Sequence, residues 1–268
     1  VSISANGGTA PYTGAGTFTV GAGPYSFTVT DANGCTTVVV TGTLTQPNLL
    51  VAASSHNSVI CNGGTATVNV SATGGVGPYT GTGVYTVTAG AYSYTVTDAN
   101  GNTAVTSGNV AQPSALTTTS SAGSINCNGG STNVSISANG GTAPYSVNGT
   151  GIAGSTPLTG GNGSYSVVAG PYSYTVTDSN GCKSVVSGTM TQPTVLTANS
   201  SAGTILGNGL TTTVSISANG GTAPYTGAGT FTVGAGPYSF TVTDANGCTT
   251  VVTGTLGQPN LLVASSTN

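Results

Sequence analysis

The sequence predicts an all-β protein, a tandem array of small antiparallel β-sandwiches with essentially no helix. Three observations carry this. The run T-V-T-D-[AS]-N-G occurs four times, with its aspartate at Asp31, Asp98, Asp178 and Asp244, and self-similarity at a near-constant period marks a repeat architecture. Large apolar residues alternate with hydroxyl residues, as in Tyr25-Ser26-Phe27-Thr28-Val29-Thr30, which is the two-residue period of a half-buried strand. No segment carries the 3.6-residue apolar period of an amphipathic helix.

Two further landmarks delimit the repeats. G-P-Y or A-P-Y places Pro11, Pro78, Pro144 and Pro224 before Tyr12, Tyr79, Tyr145 and Tyr225, and Gln-Pro ends at Pro47, Pro113, Pro193 and Pro259. Repeat 1 is 1–47, without its first strand. Repeat 2 is 48–113, repeat 3 is 114–193, repeat 4 is 194–259, and 260–268 begins a further repeat. The aspartate spacings are 67, 80 and 66, so repeat 3 is longer than the others, and its surplus lies between Tyr145 and Tyr165. Glycines and Pro157 crowd that stretch, which predicts an extended loop at about 146–160. Residues 1–39 recur letter for letter as 214–252. Such near-identity means recent duplication, which suits long surface arrays.

Within a repeat the elements follow in order. Val1 to Ala5 reads as a strand, Phe18-Thr19-Val20 as another, and Tyr25 to Thr30 as a third. Asp-Ala-Asn-Gly then turns the chain. Aspartate bonds the backbone two residues on, and Asn-Gly tolerates positive φ, so Asp31, Asp98, Asp178 and Asp244 are expected to cap hairpins. Thr36 to Leu44 forms the return strand, and Leu49 to Ala53 opens the next repeat. Turn signals recur roughly every 8 to 12 residues, which points to a sandwich. Tyr25, Tyr92, Tyr172 and Tyr238 open the penultimate strand. A tyrosine there, its hydroxyl bonded back to backbone, resembles the tyrosine corner of immunoglobulin-like sandwiches. Asn260-Leu261-Leu262-Val263-Ala264 matches Asn48-Leu49-Leu50-Val51-Ala52. Leu261, Leu262, Val263 and Ala264 are therefore read as an inter-unit strand, docking on a following repeat or on an identical subunit.

Composition excludes several functions. Gly, Thr and Ser number 44, 51 and 31 of 268 residues, and charged residues are 2%, against about a quarter in ordinary soluble domains. Four aspartates and Lys183 are the whole charged set. One cation cannot displace phosphate counterions or hold an anionic membrane, so no nucleic acid and no lipid-surface partner is expected. The longest apolar run, Leu49 to Ala53, falls far short of the roughly 18 to 20 residues of a membrane span. No cluster of acids, bases or nucleophiles is available for catalysis, and no cofactor is implied. Calcium wants six to eight oxygens, and each repeat offers one carboxylate. Zinc lacks a C-x-x-C, and His56 lies in the polar stretch Ser54 to Ser58, read as a solvated loop. Mean hydropathy of +0.19 and abundant β-formers argue against disorder. A surface of threonine and serine with almost no charge lacks the usual protection against association, so the repeats pack into a fibre, glycans cover the hydroxyls, or the hydroxyls alone keep it hydrated.

The five cysteines occupy two repeat positions. Cys61 and Cys127 sit in C-N-G-G early in a repeat; Cys35, Cys182 and Cys248 follow the Asn-Gly turn. Asn102 replaces the late cysteine in repeat 2, and Leu206 the early one in repeat 4. Repeat 3 alone holds both, so Cys127–Cys182 is the predicted disulfide, with two buried thiols as the competing reading. Cys35 is expected to have its partner upstream of Val1, in a longer protein.

The succession C-N-G-G, G-G-x-x-P-Y, Y-[ST]-[FY]-T-V-T-D-A-N-G-C and Q-P resembles the SprB-type repeat of Bacteroidota gliding adhesins and related giant surface proteins, over essentially the whole chain. That resemblance implies type IX secretion, an extracellular cell-surface location and a role in attachment or gliding. The implied protein is a non-enzymatic stalk or fibre whose partners are neighbouring repeats or identical subunits, with surface polysaccharide or covalent glycans as further partners. A self-assembling filament is the alternative. A carbohydrate-binding module is the third reading, disfavoured because the tyrosines alternate like core residues and tryptophan is absent.

Overall fold

The computed structural model describes residues 1–152, 154 and 156–266, with backbone alone at 37–39. Alternation in sequence becomes alternation in burial. In Thr65–Thr73 the residues Ala66, Val68 and Val70 are buried while Thr65, Thr67, Asn69 and Ser71 face out. The chain divides into two units, Val1–Val59 with Thr65–Ala111, and Ile60–Gly64 with Gln112–Asn268.

In the first unit, repeat 1 contributes β1 (Ser2–Ile3) paired with β2 (Gly16–Thr17), and β3 (Gly23–Thr30) paired with β4 (Thr36–Leu44). The strands expected at Val1 to Ala5 and Phe18 to Val20 are thus shorter or displaced. The β3–β4 ladder shifts register between Phe27 and Val29. Repeat 1 has valines at 38–40 where repeat 4 has them only at 251–252, and one extra residue in one strand makes a bulge. Repeat 2 contributes β5 (Val51–His56), β6 (Thr65–Thr73), β7 (Gly83–Thr88), β8 (Gly90–Thr97) and β9 (Thr103–Val110). They form the sheets β5-β6-β7 and β8-β9. Val59, Ala66, Val68, Val70, Val96 and Val110 fill the space between, and Tyr85 stacks on Tyr94 with ring centres 4.2 Å apart. His56, expected in a loop, closes β5 and meets Tyr92 edge-on.

In the second unit, repeat 3 contributes β10 (Thr117–Ala122), β11 (Ser131–Asn139), β12 (Tyr145–Gly149), β13 (Thr156–Leu158), β14 (Asn162–Val168), β15 (Gly170–Thr177) and β16 (Lys183–Met190). The sheets are β10-β11-β14 and β13-β12-β15-β16. First, second and fifth strands thus face fourth, third, sixth and seventh, the A-B-E against C′-C-F-G arrangement of immunoglobulin-like sandwiches. The extended loop expected at 146–160 is therefore corrected: that stretch carries β12, β13 and a 3₁₀ turn at Thr159–Gly161. Val147 and Leu158 are buried, and their burial helps seat β12 against β15 and β13 against β12. Residues 153 and 155 of this stretch lie outside the described residues.

Repeat 4 contributes β17 (Thr197–Ala202), β18 (Thr212–Asn219), β19 (Gly229–Val233), β20 (Gly236–Thr243) and β21 (Thr249–Leu256), in sheets β17-β18-β19 and β20-β21. Here, as in repeats 1 and 2, the third strand shrinks to one bridge, Thr226 to Thr243. The chain is all-β, an array of small immunoglobulin-like antiparallel sandwiches. The turn at Thr159–Gly161 is the one helical element among the described residues. In repeats 2 to 4 the turn between strands A and B lies at one end of the sandwich, and the B–C and F–G turns at the other. Nine-residue β11 sets these ends roughly 30 Å apart in repeat 3.

Candidate functional site

The recurring chemistry of this chain gathers at the two ends of each sandwich. At the F–G end, Asp178 Oδ1 accepts the N–H groups of Asn180 and Cys182, both at 2.9 Å, and Oδ2 accepts Thr142 N–H at 2.9 Å. The carboxylate therefore closes its own hairpin and also holds the B–C turn. Asp98 and Asp244 do the same, with Val76 and Thr222 as the distant donors. Asp31 does so with Thr9 in repeat 1. Gly141 is obligatory here: its φ is +61°, and a Cβ would sit 2.7 Å from Asp178 Oδ2.

These bonds favour the charged form. Asn102's amide, then the N–H groups of Val76, Asn102 and Asn100, hold Asp98 below the usual aspartate range against the opposing effect of burial. The N–H groups of Thr9 and Cys35 lower Asp31. For Asp178 and Asp244 burial pushes upward, but the combined backbone donors, led by Thr142 and by Cys248, bring both below the usual range.

At the A–B end, the C-N-G-G turn grips the Gln-Pro where the chain leaves the repeat. Asn128 Nδ2 donates to Pro193 O at 2.9 Å, and Gln192 Oε1 accepts Gly129 N–H at 2.7 Å. Asn62 and Gly63 hold Pro113 and Gln112 in the same way, and Asn208 and Gly209 hold Pro259 and Gln258. This equivalence corrects one alignment: Gly207, not Leu206, stands at the early cysteine position of repeat 4.

The predicted disulfide is also corrected. Cys127 bonds Cys248, and Cys182 bonds Cys61, each pair 121 residues apart. The reason is geometric. Cys127 lies on the A–B turn and Cys182 on the F–G turn of one sandwich, about a β11 length apart, whereas a disulfide needs Cα atoms within roughly 7 Å. The chain leaves repeat 3 at its A–B end and enters repeat 4 beside the F–G turn, since Thr197 at the start of β17 pairs with Asn219 at the end of β18. That apposition puts Cys127 and Cys248 together, with Cα atoms 5.7 Å apart. Asn246 Nδ2 adds a bond to Asn126 O at 3.0 Å, and Asn180 Nδ2 one to Ile60 O at 3.2 Å. Both early cysteines, Cys61 included, belong to the second unit. Cys35 is unpaired and exposed. Asn102, at the late position of repeat 2, turns its amide back to Asp98 Oδ2 at 3.0 Å.

The tyrosines divide their roles differently from the sequence reading. Tyr92, Tyr172 and Tyr238 meet the hydroxyls of Ser54, Ser120 and Ser200 on the opposite sheet. Backbone is instead reached by Tyr79, Tyr145 and Tyr225, which donate to Gly74, Gly140 and Gly220. Tyr172 lies over its cross-strand partner Gly188, where a Cβ would come 2.5 Å from the hydroxyl.

Leu261, Leu262 and Val263 are exposed and lie outside any strand. Among the described residues no group of three or more His, Cys, Asp or Glu is placed to hold a metal ion. A shallow depression on β10-β11-β14 is lined by Thr119, Ser121, Ser135, Ser137, Asn162 and Ser164, groups suited to neutral hydrogen bonding and to no proton transfer.

No family model and no curated protein matches the sequence. Among solved structures, the chain is similar to the N-terminal eight immunoglobulin domains of Down Syndrome Cell Adhesion Molecule, isoform 1.30.30, at 12% identity and a TM-score of 0.30. The match covers 91% of this chain and 52% of that one, so the chain spans about half the length of that structure.

Proposed function

We propose that the chain is a non-enzymatic, extracellular repeat array that serves as the stalk or fibre of a bacterial cell-surface adhesin. The observation that carries this is the pair of bridges tying the A–B turn of one repeat to the F–G turn of the next, twice, at one separation. Bridges of that kind persist where thiols oxidise, outside a reducing cytosol. They secure one repeat against its neighbour and build no pocket. The hydroxyl surface and the resemblance to SprB-type repeats support the bacterial surface, with neutral polysaccharide as a contact.

The test is immunogold labelling of intact cells with antibody to repeat 3, followed by negative-stain microscopy of the released protein. Surface label on isolated threads is expected; label confined to the cytoplasm would refute the reading. A second reading has the repeats as the polymer itself. It is favoured by the nearly uncharged threonine and serine surface, which lacks the usual protection against association. Ordered fibres of fixed diameter in the same micrographs would select it.

A further inference from the structure

We propose that the two disulfides make repeats 2 to 4 an extension-limited tether in which either bridge can fail with almost no gain in length. The stalk reading supplies the purpose of this device, while its measurement stands apart from that reading.

In chain order the cysteines are Cys61, Cys127, Cys182 and Cys248, and the bonds are first to third and second to fourth. The bridges are therefore crossed, not nested or consecutive. Besides the unbroken backbone, three covalent routes connect Cys61 to Cys248. One follows the chain to Cys127 and crosses to Cys248. One crosses at once to Cys182 and follows the chain onward. The third uses both bridges and runs backward from Cys182 to Cys127. Counted along the backbone, whose reach grows with residue number, the first two routes each hold about 66 residues, the third about 55, and an unbridged chain about 187. The first two are equal because the early and late cysteines recur at the same repeat period.

The shortest route sets the limit when the chain is pulled taut. With both bridges it is about 55 residues of backbone, plus two Cα spans of 5.6 and 5.7 Å. With either bridge alone it is about 66 residues of backbone and one such span. At ~3.4 Å per residue, losing one bridge adds roughly 30 Å, and losing both adds roughly 440 Å. Two consecutive bridges would behave otherwise, each releasing its own loop in full. Asn180 and Asn246, read from sequence as turn residues alone, reinforce the same junctions by their bonds to Ile60 and Asn126. They are positioning residues for the bridges. The splice stops where a cysteine is missing, at Asn102 in repeat 2 and Gly207 in repeat 4.

The experiment is single-molecule extension of the full chain held by its ends, with Cys35→Ser in every sample to prevent exchange. The reading is the contour length after complete unfolding, so a destabilised variant still reports. Relative to the oxidised parent, Cys61→Ser with Cys182→Ser should lengthen the chain by roughly 30 Å, and so should Cys127→Ser with Cys248→Ser. Replacing all four, or reducing the parent with a phosphine, should lengthen it by roughly 440 Å. Release of hundreds of ångströms by one pair alone would overturn the proposal. So would a parent shortened by only roughly 180 Å, the signature of a bridge within repeat 3. Either failure would leave the surface location untouched, because cell labelling decides that separately.

Discussion

Residues 1–39 and 214–252 are one sequence in two settings. In repeat 4 the opening residues lie in β18, which spans eight residues between β17 and β19. In repeat 1 the same letters give β1, two residues paired with β2 alone. Val214 is fully buried, whereas Val1 is partly exposed. Downstream the copies converge: Asp31 and Asp244 each bind the same three N–H groups, and β3 and β20 have the same sequence and length. Turn chemistry is thus written locally. The extent of a strand is set by partners on both edges, which is why β-propensity depends so strongly on context. The late cysteine also differs, bonded as Cys248 and unpaired as Cys35.

The largest expected effect comes from making the repeat 4 junction resemble Cys35. Cys127→Ser with Cys248→Ser opens a bridge that spans 121 residues. The chain-entropy model puts this at up to about 5 kcal/mol, an upper figure because the crossed second bridge still restrains part of that loop. Guanidinium unfolding should show a lower midpoint for this pair and no change for Cys35→Ser. Equal midpoints would mean that the bridge does not restrain the unfolded chain.

Acid should come next. Each aspartate has its folded value depressed below the ordinary 3.8. A depressed carboxylate contributes stability that is present above its unfolded value and lost as pH falls through the folded one. Thermal midpoints should therefore hold steady from pH 7 to about 5 and decline below about 4. Asp244→Asn should flatten that decline more than Asp31→Asn, since Asp244 is buried and Asp31 is not. A midpoint that starts to fall near pH 6 would point to a different titrating group.

Much of this is legible in the sequence, and the exceptions share a cause. Alternation marks the strands, and D-x-N-G marks the hairpins, because both are nearest-neighbour patterns. The Gln-Pro landmark reads as punctuation, yet its glutamine is an acceptor for a distant turn, 49 residues away for Gln112 and Gly63 and 63 residues away for Gln192 and Gly129. Pairing cysteines within a repeat misassigns the bridges, because it leaves Cys61 and Cys248 unexplained. One shift of a repeat pairs all four at a constant 121 residues, a signal that arithmetic alone can find. Glycine content hides β12 and β13, because burial of Val147 and Leu158 depends on a sheet edge that no local pattern displays.

A smaller test returns to the identical copies. Tyr238 and Ser200 share a hydroxyl bond of 2.9 Å across the sandwich. Tyr25 is the same residue in repeat 1, with the same ring contact to Phe27 that Tyr238 makes to Phe240 but no such serine bond among the described residues. Tyr238→Phe should cost about 1 kcal/mol, the net worth of one such bond, and Tyr25→Phe close to nothing. Equal losses would show that the serine partner is incidental and the ring carries the effect.

The smallest effect has the opposite sign. Tyr174 is fully buried in repeat 3, and its hydroxyl has no hydrogen-bond partner. Burial, then the neighbouring Tyr165 and Tyr172, push this phenol above its usual value. Repeats 1 and 4 place Phe27 and Phe240 at the same strand position. A buried hydroxyl without a partner is a net cost, but removing it also leaves a small void in a packed core. The two nearly offset, so Tyr174→Phe should stabilise repeat 3 by about 0.5 kcal/mol. The reverse change, Phe240→Tyr, adds a hydroxyl to a partly buried ring at the position where repeat 2 carries Tyr94, and should change the stability of repeat 4 by about 0.5 kcal/mol or less. Chemical denaturation of both variants decides the matter. If Tyr174→Phe lowers the midpoint, the hydroxyl is satisfied in solution and the asymmetry between repeats has another origin.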